Sequence, residues 1–207
     1  MTPSFIFLFL SLCLRLLFVF GEDSFTLPQI EYADLVSMEK SAIYKLTEQL
    51  TFLGAIQIAN IPKFALARKE ALEDLSECLH SDTSATKMTM KDGSIRYSAG
   101  AETKDGVRSP MSSSCGDASY RLRAIIDAVC RQVFAALDSQ VHGKNLIMEP
   151  SYSTFTDLIA NGNHLEHLHS YFPPQDQNKP SINTATMDFH TDAGLMIAMT
   201  TGYYSSG

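Results

Sequence analysis

The chain has 207 residues, of which 45% are hydrophobic and 19% charged, with a formal net charge of −7 at pH 7. A chain of this size and composition can bury a substantial hydrophobic core, as an ordinary folded protein does. The acidic balance and the absence of any run of basic residues argue against nucleic acid as a partner, because neutralising phosphates requires clustered Lys and Arg.

The N-terminal segment has the pattern of a targeting sequence. An apolar stretch runs from Phe5 to Phe20, interrupted by Ser11 and Arg15, and short residues up to Gly21 offer a cleavage point. The stretch carries a charge and is shorter than the roughly 20 residues that a membrane-spanning helix needs. We therefore predict a secretory signal peptide over residues 1–21 and a secretory or extracellular location. An uncleaved signal anchor, with membrane attachment, is the alternative.

Cysteine usage is compatible with the secretory route. Cys13 would leave with the signal peptide, so that Cys78, Cys115 and Cys130 remain. Cys130 falls on the apolar face of a predicted helix, which favours a buried thiol. Cys78 and Cys115 bracket a polar segment and can pair with each other, the alternative being three free thiols.

Two amphipathic helices and a short strand are predicted before residue 80. The first helix starts at Asp34 and ends at Gly54, which stands where a left-handed cap is wanted. Ile56 and Ile58 then alternate as a short strand, and Pro62 opens the second helix. We interpret the apolar stripes as core rather than as a site; they are Ile43, Leu46, Leu50 and Leu53 in the first helix, and Phe64, Ala67, Ala71, Leu75 and Cys78 in the second.

A polar stretch from His80 to Gly116 is rich in Ser, Thr, Gly and Asp. Its length is unusual for a loop without secondary structure of its own. Asp117 is a candidate N-cap for a third helix. The apolar stripe of that helix is again interpreted as core: Leu122, Ile125, Ile126, Val129, Val133 and Leu137.

The segment from His164 to His169 is a first candidate metal site. Read as a strand leading into Tyr171, it places Leu165, His167, His169 and Tyr171 on one face, because side chains alternate along a strand. A His-x-His pair at that spacing can bind Zn(II), but no Cys and no second pair stands nearby to close a tetrahedral site. We favour the simpler interpretation of a partly exposed polar strand face.

A second candidate lies in the apolar run from Met187 to Leu195, where His190 and Asp192 are two residues apart. On a strand both side chains project from the same face, and they would form two thirds of the 2-His-1-carboxylate set that binds non-haem Fe(II). Asp188 shares that face, and we interpret it as a neighbour of the site rather than a ligand. A His-x-Asp pair alone also fits an exposed loop.

Four motifs occur in a specific order along the chain. They are Leu27-Pro28-Gln29-Ile30, the strand after Gly54, Tyr171-Phe172-Pro173-Pro174, and His190-Thr191-Asp192-Ala193-Gly194-Leu195. In this order the chain resembles the isopenicillin N synthase-like branch of the Fe(II)/2-oxoglutarate dioxygenases. The resemblance implies an α+β fold, with N-terminal helices over residues 22–163 and a partial double-stranded β-helix (jelly roll) over residues 164–207, incomplete at the C-terminus. It also implies β segments and lids in the polar stretch.

The resemblance further implies a chemistry. Fe(II) would be bound by His190 and Asp192, and 2-oxoglutarate would be the co-substrate, contacted at the positions of Ser170 and Phe172, where the family commonly has Asn and Tyr. The reaction would be hydroxylation, desaturation or ring closure of a small organic substrate. Two further departures are that no His-Gly follows Asn60, and that the family's distal His and Arg-x-Ser do not occur after Asp192.

From these departures we expect a fragment of an enzyme, whose open strand edges permit self-association. The alternative is a non-catalytic secreted or membrane-tethered protein that retains part of the dioxygenase fold.

Overall fold

The computed structural model describes residues 5–9, 25–73, 75–104, 107–108, 116–141, 152–174 and 194–204. Its helices are α1 (Tyr32–Val36), α2 (Lys40–Phe52), α3 (Phe64–Glu73), α4 (Leu75–Ser81), α5 (Gly116–Val141) and α6 (Phe155–Asn161). Its strands are β1 (Phe5–Phe9), β2 (Gln29–Glu31), β3 (Ala55–Ala59), β4 (Thr86–Thr89), β5 (Ile95–Lys104), β6 (Val107–Arg108), β7 (His164–Phe172) and β8 (Met196–Thr200).

The chain divides into two compact units. One comprises Met1–Ala65, Ala128–Thr156 and Asp192–Gly202, and the other comprises Leu66–Asp127, Asp157–Thr191 and Tyr203–Gly207. Each unit contains helices and a small sheet, so both helices and strands are present, as an α+β fold requires. The jelly roll stays a prediction. Among the described helices, none combines the length and the apolar character that crossing a bilayer requires.

The first unit contains a four-stranded sheet in the order β2, β3, β1, β8. β2 runs parallel to β3, whereas β1 is antiparallel to both of its neighbours, with Phe5 opposite Ile58 of β3 and Thr200 of β8. The inner strand β1 therefore comes from the predicted signal peptide. A cleaved signal peptide cannot supply this strand to the mature chain, so the two roles exclude each other in one molecule.

The first predicted helix is interrupted. It forms as α1 and α2, separated at residues 37–39, where Met38 has a positive φ of 54° and the Glu39 N–H donates to the Asp34 carbonyl over 2.8 Å. Gly54 ends α2 as predicted, with a φ of 70° and its N–H donating to the Gln49 carbonyl. Ile43, Leu46 and Leu50 are buried, and so are Ile56 and Ile58 of β3, but Leu53 is exposed because it follows the last helical turn.

The second unit contains a sheet built around β5. β4 and β6 pair with one edge of β5, and β7 pairs antiparallel with the other, from Ile95 opposite Phe172 to Thr103 opposite His164. One face of this sheet packs on α4, where Leu75 and Leu79 meet Ala99, Ala101 and Leu168. The prediction that the polar stretch after His80 is more than a loop is confirmed, because it contains β4, β5 and β6.

Most residues of the remaining predicted stripes are core, whereas Cys78, Ile125 and Ile126 are half-buried. Phe64, Ala67, Ala71 and Leu75 of the second stripe are buried, as are Leu122, Val129, Val133 and Leu137 of α5. α5 begins at Gly116, so Asp117 lies in its first turn rather than before it. Cys130 carries a half-buried thiol, and Cys78 is disulfide-bonded.

Candidate functional site on strand β7

Strand β7 presents two chemically different faces. Its uninterrupted pairing with β5 fixes the alternation of side chains. We define the packed face as Glu166, Leu168, Ser170 and Phe172, and the open face as Leu165, His167, His169 and Tyr171. The open-face set agrees with the alternation predicted from the sequence.

The packed face is anchored by an ion pair. The Arg123 guanidinium on α5 donates to Glu166 through Nε (2.6 Å to Oε2) and Nη2 (3.2 Å to Oε1). Arg123 is buried, with 6% of its surface exposed. A bidentate Arg–carboxylate pair has a strong directional preference, so it fixes the orientation of β7 relative to the helix.

Ser170 and Phe172, the positions that the resemblance assigns to the co-substrate, lie at the end of the packed face. The Phe172 ring meets the Tyr97 ring edge-on, with centroids 5.6 Å apart, and lies 6.2 Å from the His80 ring. Ser170 stands opposite Tyr97 in the β5–β7 register, and Lys87 Nζ lies 5.6 Å from the centre of the Tyr97 ring. Phe172 offers only an apolar surface here. The nearby residues Ser170, Tyr97 and Lys87 carry a hydroxyl, a phenol and an ammonium group. Each of these groups can donate a hydrogen bond to a carboxylate.

The open face brings two imidazoles together. The ring centroids of His167 and His169 are 5.5 Å apart, and the Tyr171 ring lies 6.2 Å from that of His169. Across the strand pair, the Ser98 hydroxyl lies 2.8 Å from Nδ1 of His169. Gly100 stands opposite His167, and a shallow groove of about 390 Å³ is lined by Gly100, Ala101, Glu102, Leu165 and His167.

His169 is electrostatically perturbed. Its burial, the nearby Arg96 guanidinium and His167 together lower the pKa of the His169 imidazole from 6.5 to about 4. Burial contributes most, since it removes water that would solvate the charged form. His169 is therefore a neutral imidazole at pH 7.

The predicted iron ligands His190 and Asp192, together with Asp188, lie outside the described residues. Within the ranges that the structure does describe, no three His, Cys, Asp or Glu side chains come together in a way that would hold a metal ion. The sequence did not indicate that Ser98 and Tyr97 lie beside β7, because neither the position of β5 within the polar stretch nor its register with β7 was predicted.

Comparisons with protein-family models, with curated proteins and with solved structures returned no match.

Proposed function

We propose that this chain carries part of the active site of an Fe(II)/2-oxoglutarate-dependent oxidoreductase. The observation that carries the proposal is the order of the motifs: a His190-x-Asp192 pair that follows Tyr171-Phe172-Pro173-Pro174. An imidazole and a carboxylate at that spacing suit Fe(II), with positions left open for other ligands. The substrate is a small organic molecule that is hydroxylated, desaturated or ring-closed.

The residue types around Ser170 fit a carboxylate co-substrate. The Ser170 hydroxyl and the Tyr97 phenol are hydrogen-bond donors, and Lys87 places a positive charge near Tyr97. A buried carboxylate needs such charge-assisted partners, because its desolvation is otherwise costly. Bound Fe(II) with 2-oxoglutarate would supply the oxidative chemistry, while the residues of this chain bind the metal and orient the co-substrate.

The second candidate is a non-catalytic secreted or membrane-tethered protein that keeps part of this fold. Phe172 favours it, because the phenyl ring has no hydrogen-bonding atom and is engaged with Tyr97. Both candidates are proposed for the secretory route. They differ in whether the chain binds iron through His190 and Asp192.

Anaerobic calorimetric titration with Fe(II) tests the proposal on an untagged chain. We expect weak binding, since few protein ligands hold the ion, and a loss of at least tenfold in His190→Ala and in Asp192→Ala. His164→Ala is the matched control, because that imidazole bonds the Ile159 carbonyl instead (3.0 Å). Equal Fe(II) affinity in all four proteins contradicts the proposal and favours the non-catalytic candidate.

Addition of 2-oxoglutarate to the same samples tests the co-substrate. A visible charge-transfer band that appears in the native chain and disappears in His190→Ala would indicate that a further ligand completes the iron site.

A further inference from the structure

The open face of β7 has the spacing of a chelating histidine pair. Two imidazoles that share one tetrahedral ion at bonds of about 2.0–2.1 Å, with each ring centre about 1.1 Å beyond its nitrogen, have centres about 5 Å apart. The centroids of His167 and His169 are 5.5 Å apart. The observed separation of the two rings is therefore close to the separation expected of two imidazoles that share one ion.

The surroundings of His169 orient its ring for metal binding. Ser98 Oγ lies 2.8 Å from Nδ1, so that in one tautomer Nδ1–H donates to the hydroxyl and Nε2 presents its lone pair outward. Such a hydrogen bond to the non-ligating nitrogen is the usual support of a metal-bound histidine, because it fixes both the ring plane and the tautomer.

Gly100 lets the His167 ring lie close against strand β5. Gly100 stands opposite His167, and a Cβ at that position would be in van der Waals contact with the ring, 3.4 Å from Cδ2 and 3.8 Å from Nε2. His167 and Glu102 also line a shallow groove that is open to solvent. An ion bound there retains water on its other positions.

Two charges act on the open face in opposite directions. The positive charge of Arg96, which stands opposite Tyr171, disfavours a cation, while the carboxylate of Glu102, opposite Leu165, favours one. Because these effects oppose each other, the two imidazoles dominate the choice of ion. Imidazole selects Ni(II), Cu(II) and Zn(II) over Mg(II) and Ca(II).

We propose that His167 and His169 form an open, two-histidine site for an imidazole-preferring divalent transition metal, separate from the iron site of the proposed function. The remaining coordination positions are held by water or by a small exogenous ligand. The site does not depend on His190 or Asp192.

Titration of the full-length, untagged chain with Ni(II) at pH 7, followed by calorimetry, tests this proposal. Ni(II) is the probe because the thiol of Cys130 can reduce Cu(II). We expect His167→Ala and His169→Ala each to weaken Ni(II) binding by at least tenfold, and Gly100→Val to weaken it by crowding the His167 ring.

A control variant distinguishes this site from Ni(II) binding at other imidazoles. His164→Ala removes an imidazole from the same strand, one that bonds the Ile159 carbonyl, and it should bind Ni(II) as the native chain does. Circular dichroism of each variant verifies that it is folded. Native-like binding by folded His167→Ala and His169→Ala, or an equal loss in His164→Ala, would overturn the proposal.

Discussion

The perturbed imidazole of His169 predicts a specific dependence of stability on pH. Its pKa is lowered from 6.5 to about 4 in the folded chain. Below pH 6.5 the unfolded chain therefore binds a proton that the folded chain excludes, and the folded state loses stability as pH falls, until the loss is complete near pH 4. Above pH 7 this group has no effect, because its imidazole is neutral in both states.

The size of the effect follows from the same change. One tenfold change in proton affinity corresponds to about 1.4 kcal/mol, so lowering the pKa from 6.5 to about 4 corresponds to at most about 3.5 kcal/mol. His169 keeps partial contact with water, and solvent screening reduces the expected loss to about 1–2 kcal/mol.

Urea unfolding at pH 7, 5.5 and 4 measures this loss as a difference between the native chain and His169→Asn, in which the titrating group is absent. The native chain should lose about 1–2 kcal/mol more than the variant between pH 7 and pH 4. His164→Asn serves as the control, because its imidazole lies on the other side of β7. An identical pH profile for native and His169→Asn proteins would refute the reasoning.

Three further perturbations have defined outcomes. Asp138→Ala should lower the free energy of unfolding, measured with urea, by about 1–2 kcal/mol. The reason is that the Asp138 carboxylate accepts hydrogen bonds from the backbone N–H groups of Phe155 and Thr156 (2.7 and 2.8 Å) at the start of α6. Asp138→Asn should recover part of the loss. Arg123→Met should lower the free energy of unfolding by about 2 kcal/mol. This is less than the roughly 3–5 kcal/mol expected when one partner of a fully buried pair is removed, because the Glu166 side chain keeps 21% exposure. An unchanged urea midpoint would show that the ion pair contributes nothing. Deleting residues 1–21 removes β1 and exposes edges of β3 and β8. Light scattering should then detect increased self-association, because unpaired strand edges pair with other chains. A monodisperse monomer would contradict this prediction. Intact-mass analysis of chain recovered from the secretory route should give an N-terminus at Glu22, and a chain that retains Phe5–Phe9 would contradict signal cleavage.

Local patterns predicted the helices before residue 82, the helix α5 and the strands β3 and β7, because their causes are local, whereas α6 was not predicted. Ile43, Leu46 and Leu50 recur at helical spacing, and Gly54 supplies the left-handed cap, so the sequence nearby contains the information. The break at Met38 was not predicted, since the apolar periodicity continues across it.

The non-local parts of the candidate site could be predicted only in outline. Alternation placed His167, His169 and Tyr171 on one face, which the structure confirms. The hydrogen bond between Ser98 and His169 joins residues 71 positions apart, and only the register of β5 against β7 brings them together. That register depends on packing against α4, which no local pattern contains.

Fe(II)-catalysed oxidation mapped by peptide mass spectrometry tests the central proposal most directly. Fe(II) and ascorbate, added in air, generate oxidants that modify residues beside the bound metal, including Met side chains. The account predicts that oxidation concentrates in the segment from Met187 to Leu195 and is lost from that segment in Asp192→Ala. Oxidation centred instead on His167 and His169, or spread evenly over the chain, would contradict an iron site at His190 and Asp192.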